Sequence, residues 1–302
     1  MDAWFALGDV EWASGQLADA EQAYQQAKRI LHEQLLATQP DSPRWLRDLA
    51  VAHSKLGDVR MKQGQLDAAA QAFSEDLTIS TRLVALDPAN TGWLRDLAVA
   101  HSWLGNVRMA QGQLDAAAQA FTEYHAILAR LLALDPANTG WLRDLAVAHS
   151  QLGDVRMAQG QLDAAAQAFT EYHAILARLV ALDPANTGWL RELAVTHSQL
   201  GDVRMAQGQL DAAAQAFTEY HAILARLVAL DPANTGWLRD LAVAHNKLGD
   251  VRMAQGQLDA AAQAFSEGMD IRTRLVTLDP ANTSWLRDLA VAHSWLGSVH
   301  MA

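Results

Sequence analysis

Residues 141–188 read WLRDLAVAHSQLGDVRMAQGQLDAAAQAFTEYHAILARLVALDPANTG, and residues 189–236 read WLRELAVTHSQLGDVRMAQGQLDAAAQAFTEYHAILARLVALDPANTG. The two stretches differ only at Asp144/Glu192 and Ala148/Thr196. The same beat runs outward in both directions, since tryptophan recurs with a period of 48 at Trp45, Trp93, Trp141, Trp189, Trp237 and Trp285. Six of the seven prolines fall at one place in the repeat: Pro40, Pro88, Pro136, Pro184, Pro232 and Pro280. Self-similarity at this period is the signature of an array whose units bury their faces against one another. Near-identity between units reads as recent duplication, and variation at the outer units favours natural expansion over consensus design.

Within one unit, Trp45 to Gln63 contains no proline and is rich in Leu, Ala, Arg and Met, which predicts a helix. Ser42 before Pro43 gives it an N-cap, a role passed to Asn90, Asn138, Asn186, Asn234 and Asn282 in later units. Gly64 supplies a left-handed stop. A second helix is predicted over Leu66–Leu86, with Asp67 in its first turn and Pro88 forbidding continuation. On a helical wheel Trp45, Leu46, Leu49, Ala52, His53, Leu56, Gly57 and Val59 cover more than half of the first helix, too wide for a surface helix with one buried stripe. Arg47, Asp48, Ser54, Lys55, Asp58 and Lys62 fill the remaining sector. The second helix becomes the outer one, burying Leu66, Ala69, Ala70, Phe73, Leu83 and Leu86.

Composition excludes several functions. With 23 Lys+Arg against 34 Asp+Glu the formal charge is −11, and no basic cluster offsets it, so nucleic acid is not an expected partner. There is no cysteine, which removes disulfides, Cys-ligated zinc and thiol chemistry. The first residues lack the basic region of a signal peptide and no apolar run reaches membrane-spanning length, so the expectation is a soluble cytoplasmic protein without membrane contact.

Trp4, Leu7-Gly8, Gly15, Ala20, Tyr24 and Ala27, and then Leu56-Gly57, Gly64, Ala69 and Phe73, have the spacing of the tetratricopeptide repeat, a 34-residue helical hairpin that the chain resembles over essentially its whole length. Each helix is seven residues longer here, close to two turns, so the inward face is preserved. The resemblance implies an all-α solenoid of helical hairpins coiled as a right-handed superhelix, with extended helices. The expected division is a hairpin over 1–41, five repeats over 42–89, 90–137, 138–185, 186–233 and 234–281, and an unpaired helix over 282–302. Where the family has bulky first-helix residues this chain has His53 and Arg60 and their copies; Tyr124, Tyr172 and Tyr220 return bulk from the second helix, but Asp76 and Gly268 break that pattern.

The recurring histidines read as packing residues that hydrogen-bond a neighbouring helix, because copies one unit apart lie roughly 10 Å or more from each other and cannot share an ion. No catalytic dyad, phosphate loop or cofactor motif is present, so no enzyme activity, cofactor or metal is expected. The Glu123-Tyr124-His125 triplet, copied in the central units only, reads as structural drift. Trp103 and Trp295 stand on the polar sector, either as partner anchors or as incidental residues. What remains is a strip on the first helices. By the family's geometry it lines a concave groove that binds extended or helical peptides: Arg95, Ser102, Asn106, Arg143, Ser150, Asp154, Arg191, Ser198, Asp202, Arg239, Asn246 and Asp250. The lysine and asparagine pairs with which some relatives clamp a C-terminal carboxylate are replaced by Ser54/Asp58, Ser150/Asp154 and Ser198/Asp202, and an Asp-lined groove beside an Arg row favours a basic or mixed-charge segment. The resemblance therefore implies a non-enzymatic protein-interaction scaffold or sensor. Such arrays are common in larger bacterial signalling or defence proteins, and the ends of this chain read as cuts within a longer array. The alternative is a structural spacer or a self-assembling superhelix stacked through Trp4, Phe5, Leu289 and Leu296 at uncapped ends.

Overall fold

The computed structural model describes residues 1–301, apart from the side chains of residues 296 and 298–301. It contains helices α1 (Asp2–Ala13), α2 (Leu17–Ile30) continued by a π turn (Leu31–Leu35), α3 (Pro43–Lys62), α4 (Leu66–Leu86), α5 (Thr91–Ala110), α6 (Leu114–Leu134), α7 (Thr139–Ala158), α8 (Leu162–Leu182), α9 (Thr187–Ala206), α10 (Leu210–Leu230), α11 (Thr235–Ala254), α12 (Leu258–Leu278) and α13 (Thr283–Met301). The described residues include no strand. The chain forms two compact units, 1–159 with α1 to α7 and 160–302 with α8 to α13. Within each unit every helix packs on the next in sequence.

The boundaries follow from local chemistry. Asn90, Asn138, Asn186, Asn234 and Asn282 each sit before a first helix and accept the N–H of the tryptophan three residues on, at 3.0–3.2 Å. Ser42 occupies the same position, but its hydroxyl makes no capping bond; Pro43 at the first helical position starts α3 without it. Replacing Asn186 by alanine is expected to cost about 1 kcal/mol, read as a lower urea midpoint for the second unit; no change would mean that the cap contributes nothing there. Gly64 and its copies adopt φ of 72–75°, the left-handed conformation that lets the chain turn back sharply between helices.

The α9–α10 hairpin of the second unit carries two layers of core. The turn-proximal layer surrounds an aromatic ring: Phe217 packs with Ala213, Ala214 and Val251, the last from α11. The distal layer, formed by the additional two turns of each helix, gathers Leu190, Ala194, Tyr220, Leu224, Leu227, Leu241 and Ala244. Unit one repeats this with Phe121 and Val155 in one layer and Leu94, Ala98, Tyr124, Leu128 and Ala148 in the other. Each layer takes residues from one hairpin and the helix that follows it, so no hairpin buries its apolar surface alone. Tyr124, Tyr172 and Tyr220 are buried, and the bulk missing from the first helix does return from the second. Asp76 and Gly268 take the tyrosine place in the flanking hairpins, with Ser80 and Arg272 buried beside them.

Three expectations require correction. Leu86 is 51% exposed, because it follows the last packed turn of α4. Trp103 and Trp295 are not free polar-face residues: their rings stack on Phe73 and Phe265 at centroid distances of 5.7 and 6.2 Å, widening the aromatic layer. Of the residues expected to be exposed at the ends, Trp4 is exposed at 38%, Phe5 and Leu289 are half-buried, and the Leu296 side chain lies outside the described residues.

The π turn has a simple origin. The segment from Tyr24 to Pro40 is one residue longer than its counterparts from Phe73 to Pro88, Phe121 to Pro136 and Phe217 to Pro232. The additional residue is absorbed in one wide turn, closed by Leu36 N–H donating to Leu31 O at 2.9 Å, which keeps Tyr24 and Pro40 in their repeat positions.

Candidate functional site

The strip expected to face a ligand lies on the first helices. In unit one Arg47 donates to Asp96 at 2.6 Å, and Arg95 to Asp144 at 2.8 Å. In unit two Arg191 donates to Asp240 at 2.6 Å, and Arg239 to Asp288 at 2.9 Å. Each arginine thus reaches the aspartate one repeat and one residue ahead, and the hydrogen bond to that carboxylate holds Arg47, Arg95 and Arg191 above the usual guanidinium range. The arginine row is a ladder between hairpins rather than a set of open cations. These pairs are half-exposed, so each contributes roughly 0.2–1 kcal/mol; their main effect is to fix register and to neutralise the face.

Ser102 and Asn106 are joined by Gln151, which donates to both at 2.9 and 3.0 Å. Lys247 reaches back to Asp202. Arg143, Ser150 and Asp154 on α7 are engaged as well, and Ser198 lies half-buried on α9. Asn246 is only 6% exposed and accepts from the buried Arg272 at 3.2 Å. Arg239, Asn246 and Asp250 come together: they line a cavity of about 480 Å³ between α11 and α13, with Val243, Lys247 and Val291. Burial raises Asp250, partly offset by Lys247. Valines complete the face, since Val51, Val195, Val243 and Val291 are each exposed by 37–41%, four residues after Arg47, Arg191, Arg239 and Arg287.

One constellation escaped the sequence reading. His125 meets His149 edge-on at a ring-centroid distance of 4.7 Å, as His173 meets His197 at 4.7 Å and His221 meets His245 at 4.5 Å. In the last pair the two Nε2 atoms are 3.2 Å apart, and His245 Nδ1 lies 3.2 Å from Glu267. Burial, reinforced by the facing imidazole, holds His149 and His197 at about 4, so both are neutral near pH 7. The signal was present: His125 precedes Pro136 by nearly the same stretch of chain as His149 follows it, which places the two at one level of antiparallel helices. Among the described residues no group of three His, Asp or Glu converges to hold a metal ion, and no helix is long and apolar enough to cross a membrane.

The family model for the tetratricopeptide repeat matches residues 1–32. The crystal structure of BtubC (BKLC) from P. vanneervenii superposes with a TM-score of 0.64 at 18% identity, covering 86% of this chain and 92% of that one. A putative kinesin light chain from Podosopora anserina, with nearly identical TPR-like repeats, gives 0.58 at 16% identity over 78% and 98%. The apo form of RapI gives 0.57 at 13% identity over 98% of both chains. No curated protein sequence matches this chain. The fold is therefore that of tetratricopeptide-type repeat proteins, with both helices of the unit lengthened by two turns.

Proposed function

We propose that this chain of tetratricopeptide-type hairpins is a non-enzymatic protein-binding module, and that its ligand is a peptide segment laid along the first-helix face. The cavity between α11 and α13 carries this reading: three of the residues singled out from sequence line it, and its walls offer an exposed valine from each of the two helices. The ladder refines the chemistry. Because Arg191 and Arg239 already hold aspartates, a ligand gains little from a simple run of charge on that row. It gains from apolar side chains that cover Val243 and Val291, and from polar groups that exchange with pairs already formed, so a mixed-charge segment with interspersed apolar residues fits best. Scaffolding or sensing inside a longer bacterial signalling or defence protein is the setting that suits such a module.

The test uses two variants of the full chain. Val243→Glu with Val291→Glu places charge on the face, whereas Leu230→Glu places it on an exposed leucine at the end of α10, outside the lining of that cavity. A partner captured from the source cells and re-purified is expected to bind the first variant at least about tenfold more weakly and the second normally, with helicity by circular dichroism unchanged in both. Equal binding to both variants sinks the assignment of the face.

A further inference from the structure

A larger cavity lies away from that face, in the first unit. It measures about 940 Å³ and runs between α2 with its π turn on one side and α4 on the other, with α3 as its floor. Its lining on the first wall runs from Gln25 through Leu36, roughly 16 Å of helix. Two departures from the repeat meet there. The additional residue before Pro40 makes the wide turn that carries His32, Glu33 and Leu36 to the cavity. And Lys28, four residues after Tyr24, stands where His125, His173 and His221 stand four residues after their phenylalanines. In the three central hairpins that position is filled by one imidazole against another, and in the flanking ones by Leu77 and Met269; here a half-buried lysine faces His53.

The charges sort themselves. Arg60 is held by Glu21 at 2.9 Å, and Arg82 by Asp41. Among the described residues the side chains of Lys28 and Arg29 have neither hydrogen bond nor ion pair, and neither do those of Glu33 and Glu75. Two free cations against two free carboxylates make a poor site for a polyanion. The floor near His53 is different, since the ionisable groups that act on that ring are the basic residues Lys28, Arg60 and His32, with no carboxylate among them; burial and these neighbours hold His53 at about 4. Beyond it the surface is hydrocarbon, from Leu36 and Ile79, while Leu46 and Leu49 are almost fully buried and add little.

We propose that this cavity is a binding site for a monocarboxylate with an apolar body: the carboxylate sits beside the Lys28 ammonium and His53, and the hydrocarbon part lies on Leu36 and Ile79. The volume is that of an ordinary small-molecule pocket, roughly 300–1,000 Å³. One half-buried ammonium supplies a single charge-assisted hydrogen bond, which matches one negative group. The site is independent of the peptide-binding reading, because it uses α2, α3 and α4 on the side away from the ladder.

The probe is 4-phenylbutyrate, titrated into the full chain by calorimetry and proton–nitrogen NMR, with 4-phenylbutyramide and inorganic phosphate as comparisons. The carboxylate is expected to bind saturably at millimolar concentration or below, with the amide about tenfold weaker, the loss of one charge-assisted contact, and phosphate weaker still. Lys28→Gln, which removes no existing contact, should cost about the same factor, and Lys28→Arg should retain most of the binding. A bound anion also stabilises the protonated form of His53, so its ring resonances should titrate at higher pH with ligand than without. Equal binding of the amide would show a merely apolar crevice, equal binding of phosphate a general attraction for anions, and undiminished binding to Lys28→Gln another site; each outcome, like the absence of saturable binding, overturns the proposal.

Discussion

Gly201→Ala is expected to destabilise the second unit by roughly 1–3 kcal/mol, although alanine is the better helix former by about 1 kcal/mol in an exposed helix. The sign is decided by packing. A Cβ built on Gly201 would lie 2.2 Å from Phe217 Cε1, 2.5 Å from Cδ1 and 2.7 Å from Cζ, and that ring is 1% exposed. Three ring atoms cannot withdraw, because Ala213 and Val251 close the space behind them. Phe217→Ala alone removes the ring and costs about 3–5 kcal/mol through lost burial and a residual cavity. In the double variant the new methyl enters space that the ring has left, so its cost must fall well short of the sum. Since arrays need not unfold as one transition, the readout is hydrogen exchange of the α9 and α10 amides together with the urea midpoint. A stabilised Gly201→Ala variant, or additive costs, would mean that glycine and phenylalanine do not interlock as described.

That interlock is legible because it repeats. Leu56-Gly57 and Phe73 keep their spacing from unit to unit, and the period of 48, the asparagine caps and the glycine turns are all consequences of local chemistry within a few residues of sequence. The wheel places the buried face of the first helix correctly, with Leu46, Leu49, Ala52, Leu56 and Val59 all buried. What sequence reading misses lies between units. Arg95 reads as part of an open row because its partner, Asp144, belongs to the next repeat. A pairing offset by one residue from the repeat cannot be inferred from either unit alone. Trp103 falls in a polar sector by angle, but a tryptophan side chain is long enough to swing across to Phe73. His125 reads as drift when it is compared with its neighbours in sequence rather than with its neighbour across the proline loop. Of the groove residues, Arg239, Asn246 and Asp250 do line one cavity, and even there Asn246 turns inward to the buried Arg272, which fills the room that Gly268 leaves.

Acidification from pH 7 to about 4.5 is expected to lower stability by a few kcal/mol, and the histidines should carry most of it. His53, His149 and His197 titrate at about 4 in the folded chain against 6.5 for the free side chain, mainly through burial; His101, His173, His221 and His245 move the same way. A base whose folded pKa lies below its unfolded value takes up protons preferentially in the unfolded chain. Its contribution is therefore complete above pH 6.5 and is lost as the pH falls toward 4. Each ring remains partly exposed, so solvent screening reduces the contribution of each of the three to about 1 kcal/mol. Asp76 works in the opposite sense. Burial raises its carboxyl from 3.8 to about 7, so its contribution is complete below pH 3.8 and is lost as the pH rises toward 7. On acidification it returns part of what the imidazoles lose. The two effects separate by substitution: His149→Gln with His197→Gln should flatten the fall in thermal midpoint between pH 7 and 4.5, whereas Asp76→Asn should steepen it by removing the offset. If the glutamine variants lose stability on acidification as steeply as the parent chain, the imidazole pairs are not the acid-sensitive contacts between the hairpins, and the charge that melts the array enters elsewhere.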